Sequence, residues 1–262
     1  MKEITKGQFS IHAPVVLLVA LMLLSGLACR AVTQGINVGP SFGFETVRGD
    51  GNVVTEERPV SGVRSVDLSG VGVVQITLGE HEALTIEGEA NLLPYIRTEV
   101  RDGMLVIGVE SGQLISPSEP LVYNLTVTGL EGLYVSGVGS ITAPMLDAGS
   151  FALGVSGSGD VNLAGLTAET LNVDLSGLGD ISVDGGQVGS QEVSISGSGS
   201  YAALDLQSAQ AQVNISSLGT ASVWVTEALD VNISGAGNVR YRGEPASIDQ
   251  NISGLGELKK VE

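Results

Sequence analysis

Asp160 and Asp180 are the residues best spaced to act together. Each follows the last glycine of a Ser-Gly-x-Gly tetrapeptide, and the two stand twenty residues apart. If twenty residues make one turn of a repeating chain, their carboxylates lie one rung apart, at roughly 4.8 Å. Carboxylates that close repel unless a cation or water separates them, and hard cations such as calcium take oxygen ligands of this kind. The spacing is not that of the nonapeptide calcium repeat, and Ser140, Ser200 and Thr220 take the same position in other copies. The expectation is a pair of solvated turn carboxylates, with weak calcium binding at Asp160 and Asp180 as the alternative. An acid pair such as this one is what a sugar-cleaving reading would rest on, and no catalytic residue is assigned.

Other reactive side chains are few. Beyond the N-terminal leader the single histidine is His81, in the charged turn Glu80-His81-Glu82, which reads as a solvated loop. Zinc sites built from histidine and cysteine lack ligands, and no cofactor is expected. Trp224 and Tyr134 are the aromatics that could face outward and stack on sugar rings. Asn214, Asn232 and Asn251 each stand two residues before a motif serine and, with Asn124, match the Asn-x-Ser/Thr sequon. An outward amide ladder along stacked strands explains the first three without glycosylation.

The formal net charge is −17, and no lysine or arginine occurs between Asp102 and Val239. A surface without cations cannot clamp phosphates, so nucleic-acid binding is excluded as a function class. Anionic lipid headgroups and acidic polysaccharides are disfavoured for the same reason.

The elements that position these residues follow from the tetrapeptide. Copies or near copies begin at Ser69, Ser136, Ser156, Ser176, Ser196, Ser216, Ser234 and Ser253, and from Ser136 onward the steps are 20, 20, 20, 20, 18 and 19 residues. A fixed period of this length marks a solenoid, each repeat being one turn. Before the serines, Leu171–Leu175, Glu192–Ile195, Gln212–Ile215 and Asp230–Ile233 alternate apolar and polar residues, which puts every apolar side chain on one face of a strand. After each motif the alternation resumes, with Ile141, Val161, Ile181 and Val239. A third apolar set, Leu146, Leu166 and Leu206, lies ten residues after its serine.

The fold expected is all-β, a parallel β-helix of about twenty residues per coil with three short strands per turn. Glycine is expected at the corners for its access to positive φ. The first corner glycines are Gly70, Gly137, Gly157, Gly177, Gly197, Gly235 and Gly254. The second are Gly72, Gly139, Gly159, Gly179, Gly199, Gly219, Gly237 and Gly256. One turn alone buries too little apolar surface to offset the entropy of ordering it, so several turns and a capped end are required. Lys259 and Lys260, at the end of the last rung, are expected to discourage end-to-end stacking.

Residues 1–28 read as a signal peptide: Lys2 and Lys6 precede an unbroken apolar run from Val15 to Leu24. Cys29 is the only cysteine, and it stands where a bacterial lipoprotein signal places the residue that becomes lipidated. Ala28 fits that signal, whereas Gly26 and Leu27 depart from it; a cleaved soluble protein and an uncleaved anchor are the alternatives. Residues 29–47 read as a tether and 48–262 as a single β-helix domain. Within it, 48–129 form a strand-rich N-terminal cap and 130–262 the regular coils. In the cap, Asp102-Gly103 between two apolar runs is a hairpin signal, and Asn91 to Ile96 suits one short helical turn interrupted by Pro94.

Before the array run Gly51-Asn52-Val53-Val54-Thr55-Glu56-Glu57-Arg58-Pro59-Val60 and Val63-Arg64-Ser65-Val66-Asp67-Leu68. Leu84-Thr85-Ile86-Glu87-Gly88, Asn91–Ile96 and Glu99–Ile107 follow. With the tetrapeptides, this ordered set resembles the bacterial family called the putative autotransporter adhesin head domain, or head GIN domain. The resemblance spans roughly Gly49 to Glu262. It implies a β-helix-like fold on an exported, frequently lipid-anchored protein and supplies no catalytic residues; Ser216-Ser217-Leu218-Gly219, which lacks the first glycine, is a departure.

The function expected is that of a non-enzymatic, extracytoplasmic cell-envelope solenoid whose acidic surface contacts an unknown macromolecule or glycan. It would meet the membrane only through its N-terminal lipid or anchor. An envelope sensor or structural component, and a carbohydrate-active enzyme, are the alternatives.

Overall fold

A computed structural model of the protein describes residues 45–262. The signal peptide and Cys29 lie outside the described residues. Residues 45–47, read from the sequence as the end of a tether, lie in a strand. Glu45–Arg48 already forms a parallel strand against Gln113–Ser116, with Val47 half-buried and paired with Ile115.

The chain is a β-solenoid of about six turns with about 20 residues per coil. Its first side stacks Met104–Ile107, Ser65–Leu68, Gly132–Val135, Ala152–Val155, Asn172–Leu175, Glu192–Ile195, Gln212–Ile215, Asp230–Ile233 and Asp249–Ile252, all parallel and in register. The last residues of these strands form one interior column, from Ile107 and Leu68 through Val135, Val155, Leu175, Ile195 and Ile215 to Ile233, all buried. The second side stacks Tyr123, Val74, Ile141, Val161, Ile181, Tyr201, Ala221, Val239 and Leu258 in the same way. Leu146, Leu166 and Leu206 line the third side and are buried, as the ten-residue offset predicts. The two-residue alternation thus turns a repeat of twenty into three walls around a thin aliphatic core.

The first tetrapeptide belongs to the same column as the rest. Val71 and Gly72 pair with Val138 and Gly139, although 67 residues separate Ser69 from Ser136. The intervening segment closes the N-terminal end by switching to antiparallel pairing. Ile96–Arg101 pairs with Met104–Val109 through the Asp102-Gly103 turn, where φ is 51° and 86°, as a two-residue hairpin loop requires. Ala83–Glu87 runs antiparallel to Val122–Thr126 and is covered in turn by Val53–Arg58. The short helical turn is present as a 3-10 turn at Leu93–Tyr95.

At the other end, two of the inward columns finish on polar residues, whereas two others end on Ile252 and Leu258. Gln250 stands in register with Val231, and Lys260 with Tyr241, each in the position that faces the core one coil earlier. Lys260 Nζ pairs with Glu244.

The corner glycines are explained chiefly by close approach. A Cβ on Gly157 would lie 2.0 Å from the Gly137 carbonyl oxygen, and one on Gly159 1.9 Å from that of Gly139. Positive φ is confined to Gly72, Gly139 and Gly179 among these positions, at 134°, 149° and 147°. The expectation that positive φ sets the corner is corrected accordingly: backbone lies directly on backbone, and at the glycine corners a Cβ would collide with the rung below. Each corner is tied to the one below. Ser156 N and Gly157 N both donate to Val135 O, and Ser158 N donates to Gly137 O. Where Ser217 replaces a glycine, its Oγ donates to the Gly197 carbonyl, the acceptor that in earlier coils receives the N–H following the glycine.

Candidate functional site

The outer face of the first side carries two columns of side chains. One runs Asn172, Glu192, Gln212, Asp230, Asp249; the other runs Asp67, Tyr134, Gly154, Asp174, Ser194, Asn214, Asn232, Asn251. Inward residues between them are aliphatic as far as Val231, so the polar character of this face follows directly from the alternation. The three asparagines are in register, as the amide-ladder reading predicts, and Asn232 Nδ2 donates along its own strand to Asp230 Oδ1 at 2.9 Å. A groove of about 310 Å³ runs between Asn214, Asn232, Asn251 and the corner serines. A second, of about 540 Å³, is lined by the carboxylates Glu192, Asp230 and Asp249 with Asn172 and Gln212.

Asp160 and Asp180 are exposed and one rung apart, as their spacing implies. Each carboxylate is used by the coil above it. Asp180 N donates to Asp160 Oδ1 at 2.9 Å, and Ser200 N donates to Asp180 Oδ1 at 2.9 Å, reinforced by the Ser200 hydroxyl. The aspartates thus clip successive corners together. Among the described residues no group of three or more His, Cys, Asp or Glu side chains is placed to hold a metal ion. His81 is exposed on its turn.

Trp224 and Tyr134 lie on different sides of the solenoid and form no common site. Trp224 is on the third side, where the eighteen-residue step is taken up: the register with the preceding coil shifts between Ala203 and Gln207 and again between Ser208 and Gln210. The Arg242 guanidinium sits 4.6 Å from the Trp224 ring centre and also reaches Asp205 at 3.2 Å. That ring therefore already has a cationic partner. Tyr134 is half-buried on the first face, between Asp67 below and Gly154 above. Burial, and then the charge of Asp67, raise its phenol pKa.

Two polar clusters have no counterpart among the sequence-based expectations. Gln191 stands in the interior column between Leu171 and Ala211 and is 2% exposed. Its amide is satisfied inside the core: Tyr201 OH donates to Oε1 at 3.0 Å, Nε2 donates to Ser208 Oγ at 2.8 Å, and Ser208 Oγ donates to Trp224 O at 2.8 Å. Burial drives the Tyr201 phenol pKa far upward. Counting in twenties from Leu171, Ile181 and Val188 would have placed all three on inward columns.

Glu89, in the cap, is 1% exposed. Its carboxylate accepts from Ser118 Oγ, Ser118 N at 2.8 Å and Gly51 N at 2.7 Å. The Ser118 hydroxyl and then these backbone donors, outweighing desolvation, hold its pKa down to about 2. No periodic signal marks it, since its partners come from two distant loops.

The tetrapeptides from Ser69 to Ser234 and the hairpin at Asp102-Gly103 fall within the residues matched by a known family model, "Putative auto-transporter adhesin, head GIN domain", which covers residues 64–245. The chain belongs to this family. Solved structures share the head GIN fold. A "putative adhesin" from Bacteroides fragilis is 22% identical, with TM-score 0.75, over 82% of this chain and 100% of that one. Two proteins from Parabacteroides distasonis each align over 83% of this chain and 100% of their own. One is named a "putative adhesin" (24% identity, TM-score 0.64) and the other a "putative lipid binding protein" (26%, 0.65). No curated protein matches the chain. Among the described residues of this head GIN domain, no helix is long and apolar enough to cross a membrane.

Proposed function

We propose that the protein is a non-enzymatic, exported component of a bacterial cell envelope, held by a lipid on Cys29, whose solenoid presents an acidic and amide-rich face to another macromolecule. The observation that supports this most directly is the first face itself. Its side chains repeat in register over successive coils, and the sequence from Gly103 to Val239 contributes no lysine or arginine to it. A stack of rigid, hydrogen-bonded coils is suited to holding such columns at fixed spacing. The adhesin names of the family and of its solved relatives agree with a contact role. The engagement of Asp160 and Asp180 by backbone N–H groups gives both residues a structural use and supports reading the coils as non-catalytic.

Protease shaving of intact cells tests the display: the chain is expected to be cleaved from outside. Fatty-acid labelling tests the anchor, and label is expected on the wild type and lost in Cys29→Ser. A chain protected from protease and unlabelled overturns the proposal.

A further inference from the structure

Among the described residues, Tyr134 is the aromatic side chain on the outer face of the first side, and its ring rests on backbone. A Cβ on Gly154 would lie 2.7 Å from Tyr134 Cδ1, and one on Gly132 3.0 Å from Cε2. The two glycines leave room for the ring to lie against the sheet, with its remaining surface toward solvent.

Two grooves meet at this ring. One, of about 350 Å³, has an apolar floor made by Met104 and the Tyr134 ring and is flanked by Asp67 and Asp174. The other, of about 800 Å³, runs beside Glu82, Glu131 and Asp147, with Arg64 as its cation. Arg64 is already engaged, 3.8 Å from Glu131 and donating to Asp102 O at 2.9 Å. Five carboxylates and one committed guanidinium therefore border a half-exposed tyrosine. Asp67 accepts from Ser136 Oγ and Glu82 from Val63 N, so both carboxylates are held in place before anything binds.

We infer that the paired grooves beside Tyr134 dock a basic polypeptide segment, with one arginine or lysine over the Tyr134 ring and its neighbours against Asp67 and Asp174. The assignment rests on reading the first face as a contact surface, and it names the partner's chemistry. A cation over an aromatic face is attracted by the ring quadrupole, more strongly as water is excluded. The apolar floor takes the aliphatic stem of the same side chain. A neutral sugar seated here would desolvate carboxylates without supplying a counter-charge, which is costly; a basic segment supplies it. The molecule's overall negative charge steers such a segment toward the face.

The test is calorimetric titration of an octa-arginine peptide into the full chain in nonionic detergent at physiological salt. Tyr134→Ser is expected to weaken binding fivefold or more, whereas Tyr134→Phe, which keeps the ring, stays within about twofold. Asp67→Asn with Asp174→Asn is expected to cost about tenfold. Asp184→Asn with Glu227→Gln, the same change of charge away from the grooves, is expected to cost less than twofold. Equal losses from the two acid pairs, or no loss in Tyr134→Ser, would reduce the effect to general charge attraction and overturn the assignment. So would a neutral oligosaccharide that binds the wild type, displaces the peptide and is lost in Tyr134→Ser. Should Tyr134→Ser fail to fold, the two acid pairs still decide. Shaving reads display separately, so a displayed chain that ignores the peptide sinks this assignment alone.

Discussion

Gly157 lies so close over Gly137 that a Cβ on the upper residue would stand 2.0 Å from the carbonyl oxygen of the lower one. The obstruction is backbone, which cannot rotate away, so the rungs themselves must part. Gly157→Ala is expected to destabilise the fold by ~3 kcal/mol, as overpacking against a rigid neighbour does. Gly149, on the preceding strand, provides the contrast, because a Cβ there would meet no atom within 4 Å. Gly149→Ala should stay within ~1 kcal/mol of wild type. Urea unfolding midpoints for the two variants check both values.

The Asp160 and Asp180 pair makes a second claim about the corners. If these carboxylates serve as acceptors for the N–H of the next rung, the acceptor matters more than the charge. Asp160→Ala should lose ~1 kcal/mol, while Asp160→Asn, which retains an oxygen in place, should lose less than half of that. Equal losses in the two variants, read by thermal melting, would show that charge is what counts there.

Much of this was legible because the period of twenty and the alternation of two are both properties of the backbone stack. They place Ile195 over Leu175 and Asn214 over Ser194 without any knowledge of neighbours. Legibility ended where contacts cross the period. Ser65–Leu78 joins the column through a tetrapeptide set apart from the array, and only that motif betrays it. Glu89 is buried by Gly51 and Ser118, residues with no periodic relation to it. The cover on Trp224 depends on where the eighteen-residue step loses its residues, and Arg242 arrives from the following coil. Corner glycine was legible as a requirement but not for its reason, since close approach between rungs is a relation between coils.

The buried amide of Gln191 is a case where the period marks the residues but not their partnership. Replacing Gln191 by Leu restores the side chain found one coil earlier, yet leaves the Tyr201 hydroxyl buried without its acceptor. Gln191→Leu is expected to cost ~1–3 kcal/mol. Adding Tyr201→Phe removes the orphaned hydroxyl and should recover part of the loss, so the double mutant is more stable than Gln191→Leu alone. A double-mutant cycle from denaturant unfolding measures this coupling; additive losses would mean that the bond contributes nothing.

Gln250 and Lys260 occupy inward columns at the end of the described stack, where an aliphatic pair would complete an apolar surface on two unpaired strands. Inward-pointing polar residues on an open edge discourage pairing with another chain. Gln250→Val with Lys260→Val should therefore self-associate, seen as a concentration-dependent rise in scattered mass, whereas the exposed Lys259→Val alone should leave the mass unchanged.

Glu89 sets the acid limit of the cap. Its pKa is held near 2 in the folded chain, below the ordinary carboxylate value of 4.5. A group depressed in this way contributes stability that is fully present above the unfolded value and is lost as pH falls toward the folded one. The melting temperature should therefore drop between about pH 4.5 and pH 2 through this residue, as protonation removes the charge that Ser118 and Gly51 solvate. Glu89→Gln cannot titrate; it should melt lower than wild type at pH 7 and lose less over that acid range. Hydrogen exchange should place the early loss in the cap, where the Gly51 and Ser118 amides open first while the amides of the middle coils stay protected. A variant whose acid profile parallels the wild type would assign the acid sensitivity to the exposed carboxylates of the coils instead.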